Sequence, residues 1–146
     1  MRIFVIKGRH DVVVAAHQAQ TLARRLGFSE RRAGELAIVV SELASNVHKH
    51  GLRGEIRLEE SETELAVVAW DEGPPIRDLE LAVTDGYDDR GPIDPAAFLS
   101  RGGLGTGLGA VVRLADLLEY REEEGGKAIT ARFLRSPRTP DGPRRP

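Results

Sequence analysis

Two spacings of apolar residues in the first half of the chain predict helices and strands. Apolar side chains three or four positions apart, as at Leu36, Val40 and Leu43, indicate an amphipathic helix. Alternating apolar and polar residues, as at Ile56 and Leu58, indicate a half-buried strand. The predicted elements are a strand at 3–7, a helix that Asp11 caps and that ends before Gly27, a second helix that Ser29 caps and that runs to His50, and strands at 55–60 and 64–70 joined by a hairpin turn. Trp70, at the end of the last of these strands, is expected to be a core residue.

Residues 71–103 interrupt this regularity with many Gly, Pro and Asp residues. A connection this long inside a compact domain is usually functional, and only short helices near 79–83 and 95–99 are expected in it. Regular structure resumes with a helix at 104–117 and strands at 118–123 and 128–134, which turn at Gly125–Gly126. Because hairpins join most of the strands, the pattern predicts helices stacked on one face of a largely antiparallel sheet.

The composition narrows the classes of function. With 146 residues, 40% hydrophobic and 30% charged, the chain suits one domain with its own core. A formal net charge of -2 gives no reason to expect a nucleic acid or an anionic membrane as partner. The absence of cysteine excludes disulfides, thiolate metal sites and cysteine catalysis. No apolar run approaches the ~20 residues of a membrane span, and none resembles a secretory signal, so the cytoplasm is the expected compartment.

Four polar residues, Glu42, Asn46, Lys49 and His50, share one face of the second predicted helix. This face is offset from the apolar stripe, so it can line a cleft beside the core. The carboxylate can accept a proton, the amide oxygen can ligate a hard cation, and the ammonium can contact phosphate. An ordinary solvated helix face is the alternative interpretation.

A second cluster, Asp71-Glu72-Gly73, ends the strand at 64–70. By alternation, Asp71 continues the strand face that carries Val67 and Ala69. A carboxylate at the inner end of a strand can accept a hydrogen bond from a purine amine. The alternative is a simple turn, since Asp and Gly both favour turns.

Five of the eight residues from Gly102 to Gly109 are glycine, at the start of the third predicted helix. Glycine disfavours a helix by about 1 kcal/mol relative to alanine, so the run needs a reason. Glycines let the backbone approach an anion, and the free N–H groups at a helix start bind phosphate. The run therefore predicts a phosphate-binding loop, with a flexible hinge as the alternative. It does not fit the Walker A pattern, because no Lys-Ser/Thr pair follows.

In this order and spacing, the three clusters resemble the N, G1 and G2 boxes of the GHKL ATPases. The matching segments are Glu42-Leu43-Ala44-Ser45-Asn46, Asp71-Glu72-Gly73-Pro74-Pro75-Ile76 and Gly103 to Gly109. Within that superfamily the chain is most similar to the anti-sigma-factor and stressosome-switch serine/threonine kinases, the RsbW and RsbT types. The resemblance implies the Bergerat fold, an α+β two-layer sandwich with helices on one face of a mainly antiparallel mixed sheet. It covers residues 1–135, with an ATP lid at 77–103, and the Pro- and Arg-rich residues 136–146 are expected to be a disordered tail.

The resemblance also implies roles for individual residues. Glu42 would be the base on the attacking hydroxyl, Asn46 would bind magnesium, and Asp71 would contact the adenine amine. Lys49 fits a phosphate contact, and Arg101 resembles an arginine that the anti-sigma branch uses near the γ-phosphate. The other nucleotide-binding residues that the motifs imply are His50, Gly73, Ile76, Gly103, Leu104, Gly105, Thr106, Gly107 and Leu108.

The implied function is transfer of the γ-phosphoryl group of ATP, with Mg2+, to a serine or threonine of a partner in a bacterial partner-switching pathway. The implied partner is a STAS-domain protein of the anti-anti-sigma type, with a sigma factor or a phosphatase as alternatives. Whether the chain forms a homodimer stays open. Pro75 stands where the family usually has a second glycine, and proline fixes φ and removes an N–H. The alternative function is therefore a non-catalytic or weakly catalytic ATP-binding module that acts by docking.

Overall fold

The computed structural model describes residues 1–49, 53–75, 87–88, 91–92, 108–123 and 125–135. These residues form three helices and seven strands. The helices are α1 (Arg9–Arg25), α2 (Glu30–Lys49) and α3 (Leu108–Leu114). The strands are β1 (Arg2–Val5), β2 (Gly54–Glu60), β3 (Glu64–Asp71), β4 (Tyr87–Asp88), β5 (Gly91–Pro92), β6 (Leu117–Glu123) and β7 (Gly126–Leu134).

Five of the strands form one sheet in the order β1-β2-β3-β7-β6, and β4 pairs with β5 in a separate two-stranded ladder. Every neighbouring pair in the five-stranded sheet is antiparallel. The predicted α+β class is confirmed, although the described sheet is antiparallel throughout rather than mixed. The reason is that hairpins join β2 to β3 and β6 to β7, and β1 and β7 then add to β2 and β3 in the antiparallel sense.

The core lies between the helices and one face of this sheet. Alternate residues of β3 and β7, such as Val67 and Phe133, are fully buried there against the apolar stripe of α2. Trp70 was expected in this core. The structure instead leaves it half-buried and outside the core cluster, because alternation turns it to the opposite face of the sheet.

That opposite face carries an ion-pair network across three strands. The Arg132 guanidinium on β7 donates to the Glu119 carboxylate on β6 at 3.0 Å and also to Glu64 on β3. The hydrogen bond with Glu119 is the main cause that raises the pKa of Arg132 above its ordinary value, and Glu64 adds to it. The network links β3, β7 and β6 through partly exposed side chains on this face, which is the outer face of the sheet.

The helix boundaries follow from local hydrogen bonds. Ser29 caps α2 as predicted, because its hydroxyl accepts the Arg32 N–H at 3.1 Å. Asp11 does not occupy the cap position of α1. It lies within the first turn, where its carboxylate accepts the N–H groups of Lys7 and Gly8 at 2.8 and 3.1 Å. Gly27 ends α1 with φ +95, as a left-handed C-terminal glycine does.

Helix α3 ends earlier than predicted. It begins at Leu108 in the described residues, and it ends at Leu114 rather than at residue 117. The reason is that the Asp116 N–H donates to the Arg132 carbonyl at 2.9 Å, which starts the pairing of β6 with β7. Residue 117 therefore belongs to the strand.

Several predictions lie outside the described residues. These are the short helices near 79–83 and 95–99, most of the lid at 77–103, and the tail at 136–146. Division of the chain into a domain at 1–135 and a tail stays a prediction. None of the helices in the described part of the chain has the length and apolar character needed to cross a membrane.

Candidate functional site

Three paired residues form a row across one end of the sheet, where β2 and β7 begin and β3 ends. They are Gly54, Asp71 and Lys127. Gly54 opens β2 and pairs with Asp71, the last residue of β3. Asp71 in turn pairs with Lys127 near the start of β7. Because alternate residues of β3 and β7 face the helices, Asp71 and Lys127 continue the core-facing side of their strands.

Asp71 is a buried carboxylate, only 5% exposed. Its Oδ1 accepts the Gly73 N–H at 2.7 Å and the Lys127 Nζ at 2.8 Å. No described residue donates to its Oδ2. The strand-end carboxylate predicted from alternation is therefore in the expected place, and one of its oxygens is free to accept a hydrogen bond within the described part of the chain.

Lys127 was not predicted from the sequence as a site residue. Its side chain is as buried as that of Asp71, 7% exposed in each case. A signal was present, because Lys127 continues the alternation of Ile129 and Ala131 on the core-facing side of β7. A lysine that follows two turn glycines is usually solvated, and only the distant Asp71 reveals why this one is buried.

Two glycines allow the strands to approach at this row. A Cβ at Gly54 would clash with the Val47 side chain on α2 and lie 2.7 Å from the Trp70 carbonyl oxygen. A Cβ at Gly126 would clash with the Asp71 carbonyl oxygen. Both glycines are therefore required by close packing, and they fix the backbone that carries Asp71.

The second half of α2 supplies the other predicted polar residues. Val47 packs over Gly54, so this part of the helix lies above the row of strand ends. Glu42 is buried, at 7% exposed, Asn46 is half-buried, and Lys49 is exposed. An ordinary solvated face therefore does not describe Glu42, since a buried carboxylate is rarely tolerated without a specific environment.

Helix α3 begins at Leu108, within the glycine-rich run, and packs on α2. Its whole first turn is buried, including Leu108 and Gly109, the two residues of the predicted G2 segment that the structure describes. Arg32 on α2 holds the far end of α3, because its guanidinium donates to the Leu114 carbonyl at 2.9 Å and to Asp116 at 2.8 Å. This ties the position of α3 to the first turn of α2.

The remaining predicted site residues lie outside the described part of the chain, and so does any arrangement of the phosphate loop. They are His50, Ile76, Arg101, Gly103, Leu104, Gly105, Thr106 and Gly107. The side chains that the structure does describe contain no cluster of three His, Cys, Asp or Glu residues able to hold a metal ion. Asn46 as a magnesium ligand stays a prediction.

Comparisons with known proteins bear on both family and fold. A sequence profile of the histidine kinase-like ATPase domain matches residues 9–133. The serine/threonine-protein kinase RsbT of Bacillus subtilis (strain 168) is 32% identical over 110 residues, which is 73% of this chain and 74% of that protein.

Two solved structures share the fold alone. A chain in the SiaB–SiaC complex from Pseudomonas aeruginosa matches with a TM-score of 0.50 and 13% identity, over 92% of this chain and 90% of that one. The mycobacterial sensor histidine kinase MprB matches with a TM-score of 0.51 and 16% identity, over 91% and 97%.

Proposed function

Because the chain belongs to the family of histidine kinase-like ATPase domains, in its RsbW and RsbT type, we propose that it is an ATP-dependent serine/threonine protein kinase. Its substrate would be a STAS-domain protein in a bacterial partner-switching pathway. The observation that carries the proposal is the buried Asp71 carboxylate at the end of β3, with one oxygen available. A relative named as a serine/threonine-protein kinase supports the reaction class.

The residues at the end of β3 fit the adenine base of a nucleotide. Asp71 Oδ2 is a buried acceptor that no described residue satisfies, and the exocyclic amine of adenine is a donor of the matching kind. The Gly73 N–H, held by Oδ1 at 2.7 Å, fixes the rotation of the carboxylate. The carboxylate is thus oriented before a nucleotide arrives, which lowers the cost of binding.

The C-terminal half of α2 would serve the phosphate end of the nucleotide. Asn46 would hold magnesium through its amide oxygen, and Lys49 would contact a phosphate. ATP with Mg2+ supplies a transferable γ-phosphoryl group whose charge the metal neutralises. Glu42 would orient the attacking hydroxyl of the partner and accept its proton. Its burial excludes bulk water, and so strengthens its interaction with the hydroxyl.

The second candidate function is an ATP-binding module that acts by docking, with weak catalysis or none. Pro74 and Pro75 are both exposed directly after Gly73, and neither has a backbone N–H. The backbone there can therefore donate no hydrogen bond to a nucleotide. With this second function, the chain would bind its partner without phosphorylating it. The partner would be a STAS-domain protein, a sigma factor or a phosphatase.

Titration calorimetry with ATP, with and without Mg2+, tests the nucleotide site. Asp71→Asn should weaken ATP binding at least about tenfold, because an amide is a poorer acceptor than a carboxylate. Glu62→Gln is the matched control, since Glu62 is an exposed carboxylate in the β2–β3 turn and should bind ATP like the wild type. Failure of the wild-type chain to bind ATP at all would refute both candidate functions.

Phosphoryl transfer to a purified STAS-domain protein separates the two candidates. A kinase should lose transfer by about 100-fold or more in Glu42→Gln, while ATP affinity changes little. Transfer that survives both Glu42→Gln and Asn46→Ala would show that the assigned residues are wrong. Binding of the partner with no transfer by the wild-type chain would favour the docking module.

A further inference from the structure

The Lys127 ammonium has an unusual position for a lysine. It is nine-tenths buried, and it makes one hydrogen bond among the described residues, to Asp71 Oδ1 at 2.8 Å. A lysine ammonium carries three N–H donors. Two donors therefore lack acceptors in the described part of the chain, although a buried donor without an acceptor is costly.

Lys127 also lies on the side of the sheet that the proposed site uses. It pairs directly with Asp71 across β3 and β7, and both side chains point toward the helices. The Asp71 carboxylate and the Lys127 ammonium therefore stand side by side as an acceptor and a donor. The row contains no other charged pair of this burial among the residues described.

The edge of a 6-aminopurine presents the complementary pattern. Its amine is a donor, and the ring nitrogens on either side of that amine, N1 on one edge and N7 on the other, are acceptors. We infer that Lys127 is a second base-reading residue, which donates to one of these ring nitrogens while Asp71 Oδ2 accepts from the amine. This inference rests on the proposed function, because it assigns a further contact within the same nucleotide site.

The hydrogen bonds of Asp71 also disfavour guanine. Guanine offers two adjacent N–H donors, which a carboxylate reads best with both of its oxygens. Asp71 Oδ1 is already filled by the Gly73 N–H and the Lys127 Nζ, which leaves one oxygen for the base. A single amine donor suits that arrangement. We therefore expect weaker binding of GTP than of ATP, and GTP binding as tight as ATP would overturn the assignment.

Base analogues test the contact on the full chain. ATP, 1-deaza-ATP and 7-deaza-ATP differ only in the ring nitrogens, so calorimetry with each reports the loss of one acceptor. One of the two deaza analogues should bind the wild-type chain about tenfold or more weakly than ATP, as for a hydrogen bond to a charged donor. In Lys127→Met that penalty should disappear, since the donor is gone.

Equal penalties in wild type and Lys127→Met would overturn the inference while leaving the proposed function intact, provided that ATP still binds with Mg2+. An absence of ATP binding by the wild-type chain would overturn both. Arg53→Met is the matched control, because it removes an exposed basic residue that pairs with Glu72 next to the row. It should keep the wild-type penalty.

Nitrogen-15 NMR of the lysine ammonium groups keeps the test decisive if Lys127→Met does not fold. The chain has three lysines, Lys7, Lys49 and Lys127, so few signals need assignment. The Lys127 signal should shift on addition of ATP and stay in place with inorganic tripolyphosphate, which has the phosphates but no base. The same shift with both ligands, or none with ATP, would overturn the inference.

Discussion

The Arg32 guanidinium, at the start of α2, donates to the Asp116 carboxylate 2.8 Å away, beyond the end of α3. The same group donates to the Leu114 carbonyl and stacks over the Phe133 ring at 4.8 Å. Asp116 also accepts the Leu134 N–H of β7 at 2.8 Å. Arg32 therefore joins α2, α3 and the sheet, and it sets where the helix that follows the glycine-rich run can lie.

Replacing Arg32 should loosen this junction. Arg32→Met keeps the aliphatic stem but removes the guanidinium that donates to the Leu114 carbonyl and to the Asp116 carboxylate. Asp116 would keep its hydrogen bond from the Leu134 N–H. We expect a loss of about 1–3 kcal/mol in the free energy of unfolding, measured by urea denaturation. ATP affinity should also fall, because α3 carries the end of the proposed phosphate loop.

Arg31→Met provides the control for that experiment. Arg31 is the preceding residue, is 66% exposed, and makes its ion pair with Glu35 on the same helix. Such a pair contributes about 0.3–0.5 kcal/mol. Equal losses for the two variants would contradict a specific role for Arg32.

The Asp71–Lys127 pair predicts a second stability effect. Lys127→Met leaves a buried carboxylate without its counter-charge, which should cost about 3–5 kcal/mol in urea denaturation. The double variant Lys127→Met/Asp71→Asn removes both charges and should recover much of that loss. A double variant as unstable as the single one would show that the ion pair is not the cause. Breaking the exposed Arg53–Glu72 pair with Arg53→Met should cost less than about 1 kcal/mol.

The sequence pattern predicts the strand that carries Asp71, because residues 65–70 form an apolar run bounded by Glu64 and Asp71. The spacing of two from Val67 and Ala69 then places Asp71 on the core-facing side. It also predicts the cap at Ser29, since the cap is made by neighbouring residues. The prediction that Asp11 is the cap of α1 is wrong by three positions, since Gly8 is the cap and an acidic side chain is favoured both at the cap and in the first turn. Local signals of this kind define the elements well and their exact ends poorly.

Other features depend on contacts between distant parts of the chain. Lys127 is buried because of Asp71, 56 residues away. The prediction that Trp70 is a core residue is wrong, because the same alternation that places Asp71 on the core-facing side turns Trp70 to the other face. The need for Gly126 next to Asp71 is equally invisible in the sequence, where the residue serves as half of a turn.

The ion-pair network of Arg132 with Glu64 and Glu119 should contribute little to the free energy of unfolding. Its contribution should also change little with pH. The pKa of Arg132 is raised in the folded state. Its contribution to stability is therefore complete below the pKa of the unfolded state, and it is lost only as pH rises through the pKa of the folded state. Both values lie far above neutrality. Arg132→Met should therefore lower the free energy of unfolding by about 1 kcal/mol or less in urea denaturation. The loss should be the same at about pH 7 and at about pH 9. A loss that changed markedly between these conditions would show that another group controls the network.

Gly126 offers the most direct test of how closely the site is packed. A methyl group there would meet the Asp71 carbonyl oxygen and come within 3.2 Å of the Trp70 indole nitrogen. Because backbone cannot rotate away as a side chain can, Gly126→Ala should displace the end of β3 and cost about 1–3 kcal/mol. ATP binding should weaken as well, since the Asp71 carboxylate moves with its strand.

Gly34→Ala on α2 is the control, as the nearest neighbour of a Cβ there is the Gln20 amide at 4.0 Å. That change should stabilise the chain by up to about 1 kcal/mol through helix propensity. A Gly126→Ala variant with wild-type stability and ATP affinity would contradict the close approach of β7 to Asp71.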